Sequence, residues 1–334
     1  MVRATARALL HRLPPASRAT VVRDAVPVED LLGNLPKTLL QDLLFGAATS
    51  LGVTAIRVNG QLGEIEGSPR DRVILYRYLQ TGTWSSRFQR EIIDKVFALG
   101  EGTYIDVGAN IGLTSIPVAA KWGVQCYAFE PDPTNFRFLQ RNTELNDVGE
   151  TIQLFNIAVH EREATLDFEL SPENLGDHRI RSSTGAPAIA PKQNENKRHV
   201  IKVAAAPLDA TLSGANIKHP LVLKIDVQGA EPAVFRGARK LLYEADCLVV
   251  EFSPYALARA GADEDDFFRE LHGFTCGFIA SFDGDDQDSN RALINPLPLA
   301  DVIAKCRDAS WHKHPDNYFD LILLRREDFF RAGS

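Results

Sequence analysis

Two carboxylates, Asp106 and Glu130, stand 24 positions apart, each in a short apolar run that opens onto a turn. The first run reads Tyr104-Ile105-Asp106-Val107-Gly108-Ala109-Asn110-Ile111-Gly112, the second Ala128-Phe129-Glu130-Pro131-Asp132. Apolar runs this short are buried strands when 10–15-residue helical stretches separate them, and that alternation makes βαβ units and a mostly parallel sheet. The alternation continues. Strands are expected at Thr103–Val107, Val124–Phe129, Ile152–Val159, Leu221–Val227 and Cys247–Phe252, with a last pair at Phe274–Ala280 and Tyr318–Arg325. Helices are expected at Leu113–Trp122 (despite Pro117), Asn135–Asn146 and Ala233–Glu244. The chain is therefore of the α/β class, and its ligands belong beyond the carboxyl ends of the strands.

What the two turns hold follows from their chemistry. Gly108 and Gly112 give the backbone freedom and leave space for a cofactor against the main chain. The pattern is not the dinucleotide GxGxxG, whose third glycine lets a pyrophosphate sit over the helix start. Asp106, just before the turn, repels a pyrophosphate and suits a cofactor that carries an ammonium and a sulfonium. Glu130, at the end of the next strand, is placed to accept both hydroxyls of a ribose, and Pro131 stops the strand.

The alternating region starts near Gly100. Residues 1–35 read as a basic tail; the first 23 residues hold five arginines and no acid. Residues 36–99 read as a helical and hairpin extension. Leu39, Leu40, Leu43, Leu44 and Ala47 recur at helical spacing, and Thr54 to Ile65 forms a hairpin around Asn59-Gly60. A helical stretch from Asp71 to Leu99 is interrupted at Thr81-Gly82-Thr83. Residues 171–199, with neither period, read as a lid loop within the 100–334 domain.

Composition excludes little but usefully. With 45% hydrophobic and 24% charged residues the chain is no disordered polymer. The net charge is −7, so a nucleic-acid partner is not expected. Residues 261–290 alone carry nine acids against Arg269, which marks a solvated rim or a partner-facing surface. No apolar run is long enough to span a bilayer. Four scattered cysteines without a CxxC pair fit reduced thiols in a cytoplasmic protein.

Taken together, these stretches resemble the FkbM-type class I S-adenosylmethionine-dependent methyltransferases. The resemblance rests on 105–112 and 129–133, on Asn142-Thr143-Glu144-Leu145-Asn146, Ala158-Val159 and Pro207-Leu208-Asp209, and on Lys224-Ile225-Asp226-Val227-Gln228-Gly229-Ala230-Glu231 and Val250-Glu251. It implies a Rossmann-like class I methyltransferase fold: a mostly parallel seven-stranded sheet, helices on both faces, an antiparallel edge, and the N-terminal extension in front. It implies S-adenosyl-L-methionine as cofactor, with Asp106, Gly108, Asn110 and Gly112 on its methionine half. Glu130 would take the ribose, Pro131 and Asp132 the adenine edge, and Asn156 and Ala158 would border the ring. It also implies O-methylation of a small-molecule or glycan hydroxyl. The family usually has a glutamate where this chain has Gln228.

A hydroxyl acceptor must lose a proton, and Asp226 ends the strand expected beside that of Asp106. Asp226 is the expected acceptor-side acid, with Glu231 its helper or a partner of the helix dipole. His178, at the head of the lid beside Arg179 and Arg181, is a further base candidate. A divalent metal on Asp226 and Glu251 is conceivable, but two acids on neighbouring strands do not establish one. His312 and His314 lack further ligands, and Asp283 to Asp288 lacks the glycine and glutamate of a calcium loop, so no metal site is read. Two rivals stay open: a nicotinamide-dependent oxidoreductase, and a non-catalytic partner that kept the fold.

Overall fold

A computed structural model describes residues 39, 42–85, 87–182, 197–280, 296–308 and 317–326. The basic tail, the middle of the lid at 183–196, the acids at 281–290 and His312 and His314 lie outside the described residues.

The main sheet is built from β3 (Thr103–Val107), β4 (Gln125–Phe129), β5 (Ile152–Phe155), β10 (Leu221–Ile225), β11 (Cys247–Phe252), β12 (Cys276–Ala280), β13 (Leu297–Pro298) and β14 (Phe319–Leu324). Its order is β13-β12-β14-β11-β10-β3-β4-β5. The five strands from β11 to β5 are parallel, while β14 runs against both of its neighbours. This is the Rossmann-like arrangement with an antiparallel edge. It has one strand beyond the expected seven, the two-residue β13. β3 and β10 are buried at every position, which is why both read as apolar runs interrupted only by Thr103, Asp106 and Lys224.

The helices start where local chemistry tells them to. Asp132 caps α4 (Pro133–Leu145) by accepting from the Asn135 amide at 2.9 Å, with Pro133 in the first turn. Pro117 is tolerated because α3 (Ser115–Trp122) begins only two residues before it, where amides have no helical partner anyway. The helix expected over 233–244 is in fact two, α6 (Glu231–Gly237) and α7 (Arg239–Glu244). Gly237 packs on the His160 carbonyl too closely for a side chain, and the Asp209 carboxylate then caps the amides of Lys240 and Leu241.

The hairpin differs from expectation by one step. β1 (Ile56–Gly60) and β2 (Gly63–Gly67) turn at Gln61-Leu62, not at Asn59-Gly60. Its docking explains Asn142 and Asn146. Both asparagines, one turn apart on α4, offer side-chain amides to β2 as a further strand would. Asn142 accepts from the Glu66 amide at 2.6 Å and donates to the carbonyls of Glu66 and Ile111. Asn146 pairs in the same way with Glu64. The extension also shares a core with the sheet: Phe45, Leu75 and Phe97 belong to one buried cluster with Tyr104, Ile116 and Leu139. Asn142→Ala is expected to cost about 2–4 kcal/mol in urea unfolding, because one buried and two partly buried backbone partners lose their hydrogen bonds at once.

A second, four-stranded sheet was not anticipated. β6 (Ala158–Val159), β9 (His199–Ala206), β7 (Ala164–Leu170) and β8 (Arg179–Ile180) pair in that order. The stretch read as a loop over 171–199 thus contains β8 and the first residue of β9. Part of the acidic segment has a local purpose: Asp263 caps α9 (Glu264–Arg269), and Glu264, Asp265 and Asp266 complement its dipole. Among the described residues no helix is long and apolar enough to cross a membrane, and all four cysteines are buried and outside any disulfide.

Candidate functional site

The chain order reverses direction between β3 and β10, and the ends of these two strands meet closely. The Asp226 amide donates to the Val107 carbonyl at 3.0 Å. Gly108, at φ +85, lies so near that a Cβ there would stand 2.0 Å from the Asp226 carbonyl oxygen. A cavity of about 510 Å³ opens at this switch point, within the range of roughly 300–1,000 Å³ usual for small-molecule sites.

Gly108, Asn110, Glu130, Pro131, Ala158 and Asp226 all line the cavity. Glu130 is buried, and its two oxygens accept from the amides of Asn110 (2.9 Å) and Asp132 (2.8 Å). Burial pushes its pKa up to about 8, partly countered by those amides and reinforced by Asp132 and Asp106. A carboxylate has about four acceptor positions, so two remain for hydroxyls from the cavity. Asn135 adds an orphan: its Nδ2 donates to the Leu175 carbonyl at 3.0 Å, while the fully buried Oδ1 has no partner. A buried acceptor left open at a cavity wall is what a ligand N–H or O–H would satisfy.

Several expected site residues stand elsewhere. Asp106 is buried beneath the cavity, holding the Thr114 hydroxyl and, at 3.1 Å, the Lys224 ammonium; it is those two side chains that line the wall. Gly112 makes room for Ile116 and Leu139, so its missing side chain serves packing. Asp132 is spent on the α4 cap. Asn156 is exposed and ties the carbonyls of Glu130 and Pro131 together, at 2.8 and 3.1 Å. Glu231 turns back on its own loop, accepting from the amides of Val227 and Gly229, and does not line the cavity; burial raises its pKa to about 7.

His178 does line the cavity, but not as a base. Its Nδ1 accepts from the Ser171 amide at 3.0 Å, and burial, with Arg198 nearby, lowers its pKa to about 4. A neutral ring with Nδ1 accepting carries its proton on Nε2, so it has no lone pair to offer.

Asp226 is two-fifths exposed. Gln228 Nε2 donates to its Oδ1 at 2.9 Å, and Lys224 Nζ lies 3.9 Å from its Oδ2. Glu251 stands beside it at the end of β11, opposite Asp320 of β14. Burial, followed by Asp226, Glu231 and Asp320, holds Glu251 well above an ordinary carboxyl pKa. Lys224 was missed by sequence reasoning, although a lone cation in the buried run Leu221-Val222-Leu223-Lys224-Ile225 signalled it. Its ammonium is held above the ordinary value because Asp106 and Asp226 outweigh the opposing effect of burial. The walls from α1 (Ile74–Thr81) and the residues before α2 (Arg87–Val96), notably Ile74 and Trp84, carried no such signal.

The fold is Rossmann-like, a parallel sheet with an antiparallel edge. Residues 106–280 match the methyltransferase FkbM domain, and the chain belongs to that family. It is 30% identical over 144 residues to Methyltransferase 1 of Beauveria bassiana, covering 40% of this chain and 57% of that protein. It is 28% identical over 167 residues to the hexuronic acid methyltransferase AglP of Haloferax volcanii, covering 50% of this chain and 59% of that one. The chain thus spans less than two thirds of the length of either relative. The methyltransferase FkbM of Methylobacillus flagellatus aligns at 16% identity and a TM-score of 0.35, over 67% of this chain and 44% of that chain.

Proposed function

We propose that this chain is an S-adenosylmethionine-dependent O-methyltransferase acting on a hydroxyl of a glycan or secondary metabolite. One observation carries the reading: a single cavity joins the Glu130 turn, with its two open acceptor positions, to the Asp226 carboxylate. The orphan Asn135 Oδ1 and the acid-rich wall fit a cationic, hydrogen-bonding cofactor. Bound there, the cofactor supplies a methyl group on a sulfonium. Glu130 would accept the ribose hydroxyls, with the Gly108 turn and Thr114 beside the rest of the cofactor. Asp226 takes the proton of the acceptor hydroxyl, with Lys224 Nζ 3.9 Å from its Oδ2. The chain's main contribution is alignment and exclusion of water, because a displacement at a sulfonium disperses charge instead of creating it.

The test is calorimetry and turnover. S-adenosylhomocysteine should bind with micromolar affinity and NADH should not; NADH binding alone would favour the oxidoreductase reading. S-adenosylhomocysteine binding without methyl transfer to any glycoside or phenol would favour the non-catalytic partner.

The acceptor's charge is also readable. The described residues of the wall include six acidic residues (Glu130, Glu173, Asp177, Asp226, Glu251, Asp320) and two cations, Lys224 and Arg259. Of the acids, burial favours the protonated form of Glu130 and Glu251, and Asp177 pairs with Arg198. Lys224 is engaged with two acids, and Arg259 donates to the Gln228 carbonyl at 2.6 Å. An uncharged acceptor therefore fits better than the acid sugar named for AglP. Paired glycosides and glycuronides of one aglycone should differ in kcat/KM by roughly tenfold or more in favour of the uncharged member.

A further inference from the structure

The narrow space between Asp226 and Glu251 is where a cation would sit, since both acids end neighbouring parallel strands. A nitrogen sits there instead. Gln228 Nε2 lies 2.9 Å from Asp226 Oδ1 and 3.3 and 3.5 Å from the two oxygens of Glu251. Its orientation follows from its partner, because an ionised carboxylate only accepts and so must face the amide nitrogen. The placement is fixed from the backbone as well. Gln228 holds a left-handed conformation, φ 58, and its carbonyl accepts from Arg259 Nη2 at 2.6 Å. On the other side of Asp226, Lys224 Nζ stands 3.9 Å from Oδ2. Amide and ammonium thus bracket the acid with N–H donors.

A divalent ion bound by oxygen needs its ligands at about 2.0–2.6 Å, so it and this amide cannot share the space. The space between the two acids is closed by a neutral donor. We propose that Gln228 is a positioning residue that occupies the cation position between Asp226 and Glu251, so that the acceptor hydroxyl is deprotonated by a hydrogen-bonded Asp226 without a divalent metal. The inference rests on the methyltransferase reading for its consequence, but the occupied position can be tested apart from it. The proton that Glu251 retains more strongly than an ordinary carboxyl serves the same end, lowering the negative charge that a metal would otherwise offset.

The test is a Mn²⁺ titration followed by the loss of the free-ion electron paramagnetic resonance signal, on the full chain with S-adenosylhomocysteine added. The wild type should take up no Mn²⁺ in the millimolar range. Gln228→Glu, which supplies a third carboxylate, should bind one ion per chain at least roughly tenfold more tightly, since affinity follows ligand charge. Adding Asp226→Asn to it should abolish that binding. Gln228→Gly, which suits the positive φ without strain, guards against a misfolded glutamate variant and should also bind more tightly than wild type. A wild-type ion lost in Asp226→Asn would overturn the proposal, as would both Gln228 variants binding no better than wild type. Neither result depends on turnover: failure of the methyltransferase reading would show instead as wild-type protein that does not bind S-adenosylhomocysteine.

Discussion

Asp226→Asn is expected to slow methyl transfer by roughly 10²–10⁴-fold while S-adenosylhomocysteine affinity stays within a few-fold, because a positioned base contributes about that much to a proton-coupled step. The substitution is nearly isosteric. It removes charge and basicity but keeps a group that Gln228 and Lys224 can contact. Asp226 is also partly exposed, so the change leaves no buried cavity and stability should move little. Initial rates of S-adenosylhomocysteine release, compared with binding by calorimetry, separate the two effects. A rate within a few-fold of wild type would mean that the acceptor proton leaves by another route. Glu251 shares the Gln228 amide with Asp226, but burial and its acidic neighbours raise its pKa well above the ordinary value, which makes it a poorer base in that place. Equal losses in binding and rate would instead give Asp226 a place in holding the β3–β10 junction, where its backbone already bonds to Val107.

How far the sequence revealed this site depended on what each signal encodes. Strands β3, β10 and β11 were visible because burial on both faces requires mostly apolar residues, and the turn at Gly108 because only glycine fits against the Asp226 carbonyl. The same apolar code cannot say which polar residue faces a cavity. Asp106 and Asp132 looked like ligand acids, yet one is paired under the floor and the other caps a helix; a carboxylate followed by a short turn has the same sequence signature in all three roles. Gly112 likewise combines a positive φ with a packing demand that resembles a cofactor cradle. The second sheet went unread because β7 and β9 are half-buried, mixed strands, and their long-range pairing of 164–170 with 199–206 leaves no local trace. The contribution of Trp84 and Ile74 to the wall is set by how the extension docks, and docking depends on Asn142 and Asn146, whose side chains act as backbone.

Glu130→Gln should weaken S-adenosylhomocysteine binding by roughly 10²-fold at pH 8, the loss of about two hydrogen bonds to a charged acceptor. Its second signature is pH dependence. In the folded protein Glu130 has a pKa of about 8 against an ordinary 4.5, so between those values the native state holds a proton that the unfolded chain releases. Stability therefore falls as pH rises through that window, by up to about 1.4 kcal/mol per unit for this group, and levels off above it. The substituted amide cannot titrate, so the melting temperature of the variant should decline less between pH 5 and 8 than that of wild type. Asp71, with a pKa of about 6, and Glu231, at about 7, are raised by burial too and make both proteins lose stability in the same range. The difference between the two curves is the informative quantity. Glutamine offers one acceptor where the amides of Asn110 and Asp132 need two, so the variant starts from a lower value at pH 5, and the curves should converge or cross as pH rises. Ribose hydroxyls favour the ionised acid, so wild-type affinity should increase from pH 6 to 8.5 while that of the variant stays flat. Parallel melting curves together with equal pH profiles of binding would remove Glu130 from the cofactor site, because no other consequence of its burial would produce both results.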